Sequence, residues 1–100
     1  MKAERYLVLI HFAAKATRAN LAEVADQIDR SIKSNLRNSQ AICTTPASLA
    51  FVGESDMSAV SLFQCLASSL RPGDNLSVLV LARDLATSHP GLNQWAVRHL

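Results

Sequence analysis

Residues 5–12, RYLVLIHF, constrain the fold of this chain most, because both alternating sets of side chains are apolar. Leu7 and Leu9 would lie on one face of a strand. The other face would carry Tyr6, Val8, Ile10 and Phe12. Apolarity on both faces is typical of a central strand that is covered on both sides. The exception is His11, which follows Leu7 and Leu9 on their face.

Size and composition indicate one globular domain, spanning 1–100, with 49% hydrophobic and 18% charged residues. The net charge of +2 permits contact with nucleic acid without arguing for it. Cys43 and Cys65 are too few for a disulfide framework. No opening segment resembles a signal peptide, and no stretch reaches the length of a membrane span. We therefore expect a cytoplasmic protein with reduced thiols and no membrane partner.

Two amphipathic helices follow from apolar residues spaced three and four apart. The first is predicted over 21–34, with Asn20 as its N-cap and Glu23 completing a capping box. The second would begin after a cap at Ser55 or Asp56 and run to about residue 70, where RPGD turns the chain.

Three further strands are predicted. A hairpin would pair 39–44 with 48–53 around a turn that contains Pro46, and the fourth strand would span 76–83. A short terminal helix is expected from about residue 91. This order predicts an α+β, ferredoxin-like βαββαβ fold: a four-stranded antiparallel sheet with strands 1 and 3 central and two helices on one face.

Two helices cover only one face of four strands, so the opposite face would be left open. Four leucines would point to it: Leu7, Leu9, Leu79 and Leu81. Such an apolar patch requires a cover. Either the tail, with Leu92, Trp95 and Leu100, folds over it, or a second copy of the chain does. We expect a homodimer built on this face, with the tail and Trp95 contributing.

The segments YLVLIHF, TTPASLAFV, PGDNLSVLV and GLNQWAVRHL, in this order, resemble those of a known family. It comprises the small ferredoxin-like proteins of CRISPR spacer acquisition and their solitary, SinR-like relatives. The resemblance implies dimerisation through the sheets. Some members are metal-dependent nucleases, in which an aspartate at the end of the first strand holds Mg²⁺ or Mn²⁺, and others are scaffolds that bind nucleic acid or protein.

His11 stands where that family usually has the aspartate, and an imidazole is a poor ligand for such hard cations. We therefore expect His11, the only catalytic candidate, to mark a degenerate catalytic position. A softer metal such as zinc would need further ligands, and none is apparent. We expect no metal site and no cofactor, and Mg²⁺ or Mn²⁺ only if the chain is a nuclease.

The candidate nucleic-acid contacts are five basic residues around the first helix: Lys15, Arg18, Arg30, Lys33 and Arg37. They form two groups, without the aromatic residues that stack on bases. The sequence therefore favours a small binding or regulatory protein, with RNA, DNA or a protein as its partner. The alternatives are a divalent-metal-dependent ribonuclease or deoxyribonuclease, and an interaction partner in a toxin–antitoxin-type system that uses the charge-free face of the second helix.

Overall fold

The computed structural model describes residues 3–13, 18–45, 48–81, 88 and 90–99. Within these ranges, seven elements follow one another in the predicted order. They are β1 (Glu4–His11), α1 (Arg18–Asn35), β2 (Arg37–Thr44), β3 (Ser48–Ser55), α2 (Ala59–Ala67), β4 (Asn75–Val80) and α3 (Pro90–His99).

The four strands form one sheet in the order β2-β3-β1-β4, and their pairings are antiparallel. β1 and β3 lie in the middle, as expected from their apolar residues. In β1, Leu7 lies opposite Val52 of β3 and Leu79 of β4. The α+β class and the four-stranded antiparallel sheet are therefore confirmed.

Helices α1 and α2 cover one face of the sheet, and the main core lies between them and the strands. Tyr6, Val8 and Ile10 of β1 are buried in this core together with Phe12, which directly follows the strand, and this confirms the predicted side. The Tyr6 hydroxyl donates a hydrogen bond to the Met57 carbonyl at 2.6 Å, which joins the sheet to the segment before α2. Burial, with a smaller contribution from the Glu4 carboxylate, raises the pKa of Tyr6.

Helix α3 lies against the opposite face, where Leu92 and Trp95 pack with Val52 and Leu81. The Trp95 indole N–H donates to the Asn38 carbonyl at 3.0 Å. Asn38 has φ = 53°, a left-handed conformation that asparagine adopts more readily than most residues. Part of the face that we expected to be open is therefore covered by the tail of the same chain.

Two of the predicted helix starts are wrong. Helix α1 begins at Arg18, so Asn20 lies in its first turn and is not its N-cap. Helix α2 begins later than expected because Ser58 is its N-cap, with the Ser58 hydroxyl accepting from the Ser61 N–H at 3.2 Å. The Ser55 hydroxyl instead accepts from the Met57 N–H at 3.1 Å. Pro46 and the predicted strand end at 82–83 lie outside the described residues.

None of the helices in the described ranges combines the length and apolarity needed to cross a membrane.

Candidate functional site

A groove of about 530 Å³ lies on the α3 side of the sheet, near the end of β1. Leu7 and Leu9 line it from β1, and Leu92 lines it from α3. β2 contributes Ile42 and Cys43. The groove exists because α3 covers only part of this face: Leu92 is buried, whereas Leu9 remains 40% exposed.

Three polar side chains form a row across one end of the groove. His11 lies opposite Ser48 of β3 and opposite Asn75 of β4. Directly opposed residues of antiparallel strands point to the same face, with Cβ atoms about 4.5–5.5 Å apart. We call Ser48, His11 and Asn75 the polar row, and all three line the groove.

The next positions along the strands are mostly apolar. Leu9 lies between Ala50 and Ser77. Beyond it, Leu7 lies between Val52 and Leu79. The groove therefore has hydrogen-bonding groups at one end and an aliphatic floor leading away from them.

Among the described residues that line the groove, none is Asp, Glu, Lys or Arg. Such a site can hold an apolar body through contacts with Leu7 and Leu9. It can also hydrogen-bond one polar group through the imidazole, hydroxyl and amide of the polar row.

A buried carboxylate holds the strand ends that carry the polar row. Asp74, directly before β4, has a side chain with no exposed surface. It accepts hydrogen bonds from the backbone N–H of Ala13, two residues beyond His11, at 2.8 Å and from that of Arg71 at 3.0 Å. The Arg71 Nε also lies 3.3 Å from Asp74 Oδ2. Asp74 therefore ties the end of β1 to the start of β4.

The pKa of Asp74 reflects two opposed effects. Burial raises the pKa. The hydrogen bonds from the N–H groups of Ala13 and Arg71, together with the Arg71 guanidinium, lower the pKa by more than burial raises it, so the net shift is downward. The ionised carboxylate is therefore the form that the fold stabilises.

His11 is exposed at the edge of the groove rather than enclosed in a cluster of acidic residues. In the described part of the chain, no group of three or more His, Cys, Asp or Glu side chains is placed to hold a metal ion. The interpretation of His11 as a degenerate catalytic position stays a prediction.

The described basic candidates each have a carboxylate partner. Arg30 lies 2.8 Å from Asp26, and Lys33 lies 2.9 Å from Asp29, both pairs one helical turn apart on α1. Arg37 lies 2.9 Å from the carboxylate of Asp56. Lys15 and the Arg18 side chain lie outside the described residues. Nucleic-acid binding through these residues stays a prediction.

The five residues predicted for a dimer face separate into two groups. Leu81 and Trp95 are 9% and 1% exposed because α3, which carries Trp95, packs against the sheet in one cluster with Leu81. Both belong to a cluster that this chain forms with its own α3, and their part in a dimer stays a prediction. Leu7 is half-buried, and Leu9 and Leu79 are 40% and 47% exposed.

Sequence reasoning singled out His11 but missed its neighbours in the polar row. Ser48 and Asn75 begin β3 and β4, whereas the predicted fourth strand, 76–83, does not include Asn75. Strand register was the signal that could have found them, because an antiparallel sheet places the last residue of β1 beside the first residues of its neighbours.

No protein-family model matches the chain, and a search of the curated proteins found no match either. Among solved structures, it is similar to the crystal structure of an unknown protein from Galdieria sulphuraria, with 16% identity and a TM-score of 0.49. The match covers 87% of this chain, which spans about half (49%) of that protein's length.

Proposed function

We propose that this chain is a ferredoxin-like binding protein without catalytic activity, and that its groove holds a small apolar molecule with one oxygen-bearing head group. The ferredoxin-like assignment is supported by the order of elements through β4 and by the central positions of β1 and β3. The relationship to the spacer-acquisition and SinR-like family stays a prediction.

One observation carries the proposal: polar and apolar groups are segregated along the groove, and its described lining has no Asp, Glu, Lys or Arg. Ser48, His11 and Asn75 converge at one end, and the aliphatic floor of Leu7 and Leu9 extends from them. An amphipathic ligand satisfies both parts, because its head group accepts hydrogen bonds from the polar row while its body leaves water.

The size of the groove agrees with this class of ligand. Its volume of about 530 Å³ lies within the range of roughly 300–1,000 Å³ that is usual for small-molecule sites. Leu92 of α3 forms one wall, so the bound body would contact both the sheet and the terminal helix.

The groove chemistry favours this proposal over a nuclease. Phosphate groups are bound mainly by Lys and Arg, and hard divalent cations by carboxylates, and the described residues of the groove lining include neither kind. The described cations Arg30, Lys33 and Arg37 belong to α1 and β2 and do not line this groove.

A titration of the isotope-labelled full chain with sodium octanoate, followed by amide and methyl NMR, tests the proposal. We expect saturable shifts confined to the groove, with a dissociation constant of about 1 mM for a ligand of this size. His11→Ala should weaken binding by roughly tenfold, because a hydrogen bond to the charged head group is lost. Octylammonium should bind more weakly, since the described lining offers no carboxylate to its head group.

The matched control is Val97→Ala. Val97 is 78% exposed on α3 and does not line the groove, so octanoate binding should not change. Shifts that fail to saturate, or the same affinity in His11→Ala as in the unmodified chain, would contradict the proposal.

A further inference from the structure

β4 forms one edge of the sheet. β4 is the last strand of the sheet, and no other described strand pairs with its outer side. The Leu81 N–H donates to the Arg5 carbonyl at 2.7 Å, and Leu81 lies opposite Arg5 when the β1–β4 register is extended by one residue. In an antiparallel pair, bonded and non-bonded positions alternate. The N–H and C=O groups of Leu76, Val78 and Val80 therefore point away from β1.

The two edges of the sheet differ in the features that normally prevent pairing. Edge strands are usually protected by charge, irregularity or a covering segment. β2, at the other edge, begins with Arg37 and has two register irregularities against β3. β4 has the sequence NLSVLV, without a charged residue, and pairs with β1 in unbroken register.

Apolar side chains flank the β4 edge on both faces of the sheet. Leu79 is 47% exposed on the groove side. On the helix side, Val80 is 55% exposed, and the outward residues Val60 and Phe63 of α2 are 68% and 41% exposed. Val60, Phe63 and Val78 line a shallow depression between α2 and this edge. We call the β4 edge, together with the exposed side chains of Leu79, Val80, Val60 and Phe63 beside it, the strip.

We propose that the β4 edge pairs with the β4 edge of a second copy of this chain. A two-fold axis perpendicular to the sheet makes the two strands antiparallel. With Val78 opposite the Val78 of the other copy, Leu76 lies opposite Val80. The outward N–H and C=O groups of the two strands then meet in bonded pairs, and the two sheets become one sheet of eight strands.

A second copy of this chain is the partner because the strip of one copy matches the strip of the other across the two-fold axis. The axis places α2 of both copies on the same side of the joined sheet, so Val60 and Phe63 approach their own counterparts and leave water. No charged side chain of β4 opposes a like charge across the axis. This interface differs from the sheet-face dimer expected from the sequence, in which the leucines of the groove side would be covered.

The pairing goes beyond the proposed ligand site and leaves it intact. Asn75 and Ser77 line the groove with side chains that project from the sheet face, whereas pairing uses the backbone groups in the plane of the sheet. Octanoate binding and dimerisation can therefore succeed or fail independently.

Sedimentation equilibrium of the full chain tests the pairing, with amide hydrogen exchange measured at low and high protein concentration. We expect a dimer in which the amides of Leu76, Val78 and Val80 become more protected as the concentration rises. Val80→Pro removes an outward N–H from each copy and should weaken the dimer by at least about tenfold. Val60→Lys, which leaves the strand unchanged, should weaken it similarly by placing two cations near the axis.

Val97→Lys is the matched control, because it introduces the same cation at an exposed valine on α3, and the dimer should persist. A chain that stays monomeric at millimolar concentration overturns the proposal. The proposal is also overturned if the dimer survives Val60→Lys, dissociates in Leu9→Lys and leaves the amides of Leu76, Val78 and Val80 unprotected. The interface would then be the face of the sheet and not the β4 edge.

Discussion

Replacing Asp74 by Asn should destabilise the fold in a manner that depends on pH. The carboxylate has no exposed surface and accepts bonds from the N–H groups of Ala13 and Arg71. The side-chain oxygen of an asparagine can keep one of these bonds. Its NH₂ group would then face the other backbone N–H, and two donors cannot form a hydrogen bond with each other. Because a hydrogen bond to a charged group contributes about 1.5–3 kcal/mol, we expect the free energy of unfolding to fall by about 2–3 kcal/mol at pH 7.

The pH dependence follows from the lowered pKa of Asp74. Its folded-state pKa lies below the value of about 3.9 typical of an unfolded chain. The ionised carboxylate therefore contributes fully above that value, and its contribution is lost as the pH falls through the folded-state pKa. The difference between the unmodified chain and Asp74→Asn should be constant from pH 7 to about pH 5 and should shrink below about pH 4.

Urea denaturation followed by circular dichroism at pH 7, 5, 4 and 3 measures this difference. Asp29→Asn is the control, because Asp29 forms an exposed ion pair with Lys33, and its loss should change stability by no more than about 0.5 kcal/mol. The reasoning would be refuted if Asp74→Asn were as stable as the unmodified chain at pH 7, or if its deficit were unchanged at pH 3.

Two further substitutions test the packing of the helix-side core. Gly53→Ala should cost about 1–3 kcal/mol in urea denaturation, because the added Cβ would lie 2.9 Å from the Leu36 Cβ. An unchanged midpoint would show that Leu36, between α1 and β2, shifts at no cost. Tyr6→Phe should cost about 0.5–1.5 kcal/mol by the same assay, because it removes the hydroxyl that bonds Met57 at 2.6 Å, and an equally stable variant would mean that this bond makes no net contribution.

Much of the fold follows from local patterns that the sequence displays directly. The double apolar pattern of β1 placed it in the middle of the sheet, and alternation assigned Val8 and Ile10 to the helix side. Helix starts were less predictable, because several polar residues can serve as a cap. Ser55, Asp56 and Ser58 all lie before α2, and tertiary packing places the helix so that Ser58 is its cap.

The site could be predicted only in part, because it depends on contacts between distant segments. The presence of His11 near a strand end was visible, but its neighbours Ser48 and Asn75 depend on the register of three strands. The positions of Leu81 and Trp95 depend on which side of the sheet α3 packs against. The tail of the same chain and a second copy of the chain would cover the same leucines, so composition alone could not show which of the two covers this face.

The packing of α3 against the sheet affects how long the groove keeps all of its walls. α3 joins the sheet through a small cluster, with Trp95 and Leu92 against Val52 and Leu81, whereas α1 and α2 share the larger core. Contiguous units with fewer buried contacts open at lower free energy than the rest of a protein. α3 should therefore detach while the sheet stays folded, and each detachment removes the wall that Leu92 provides. A molecule bound in the groove therefore loses its contact with Leu92 far more often than the protein unfolds.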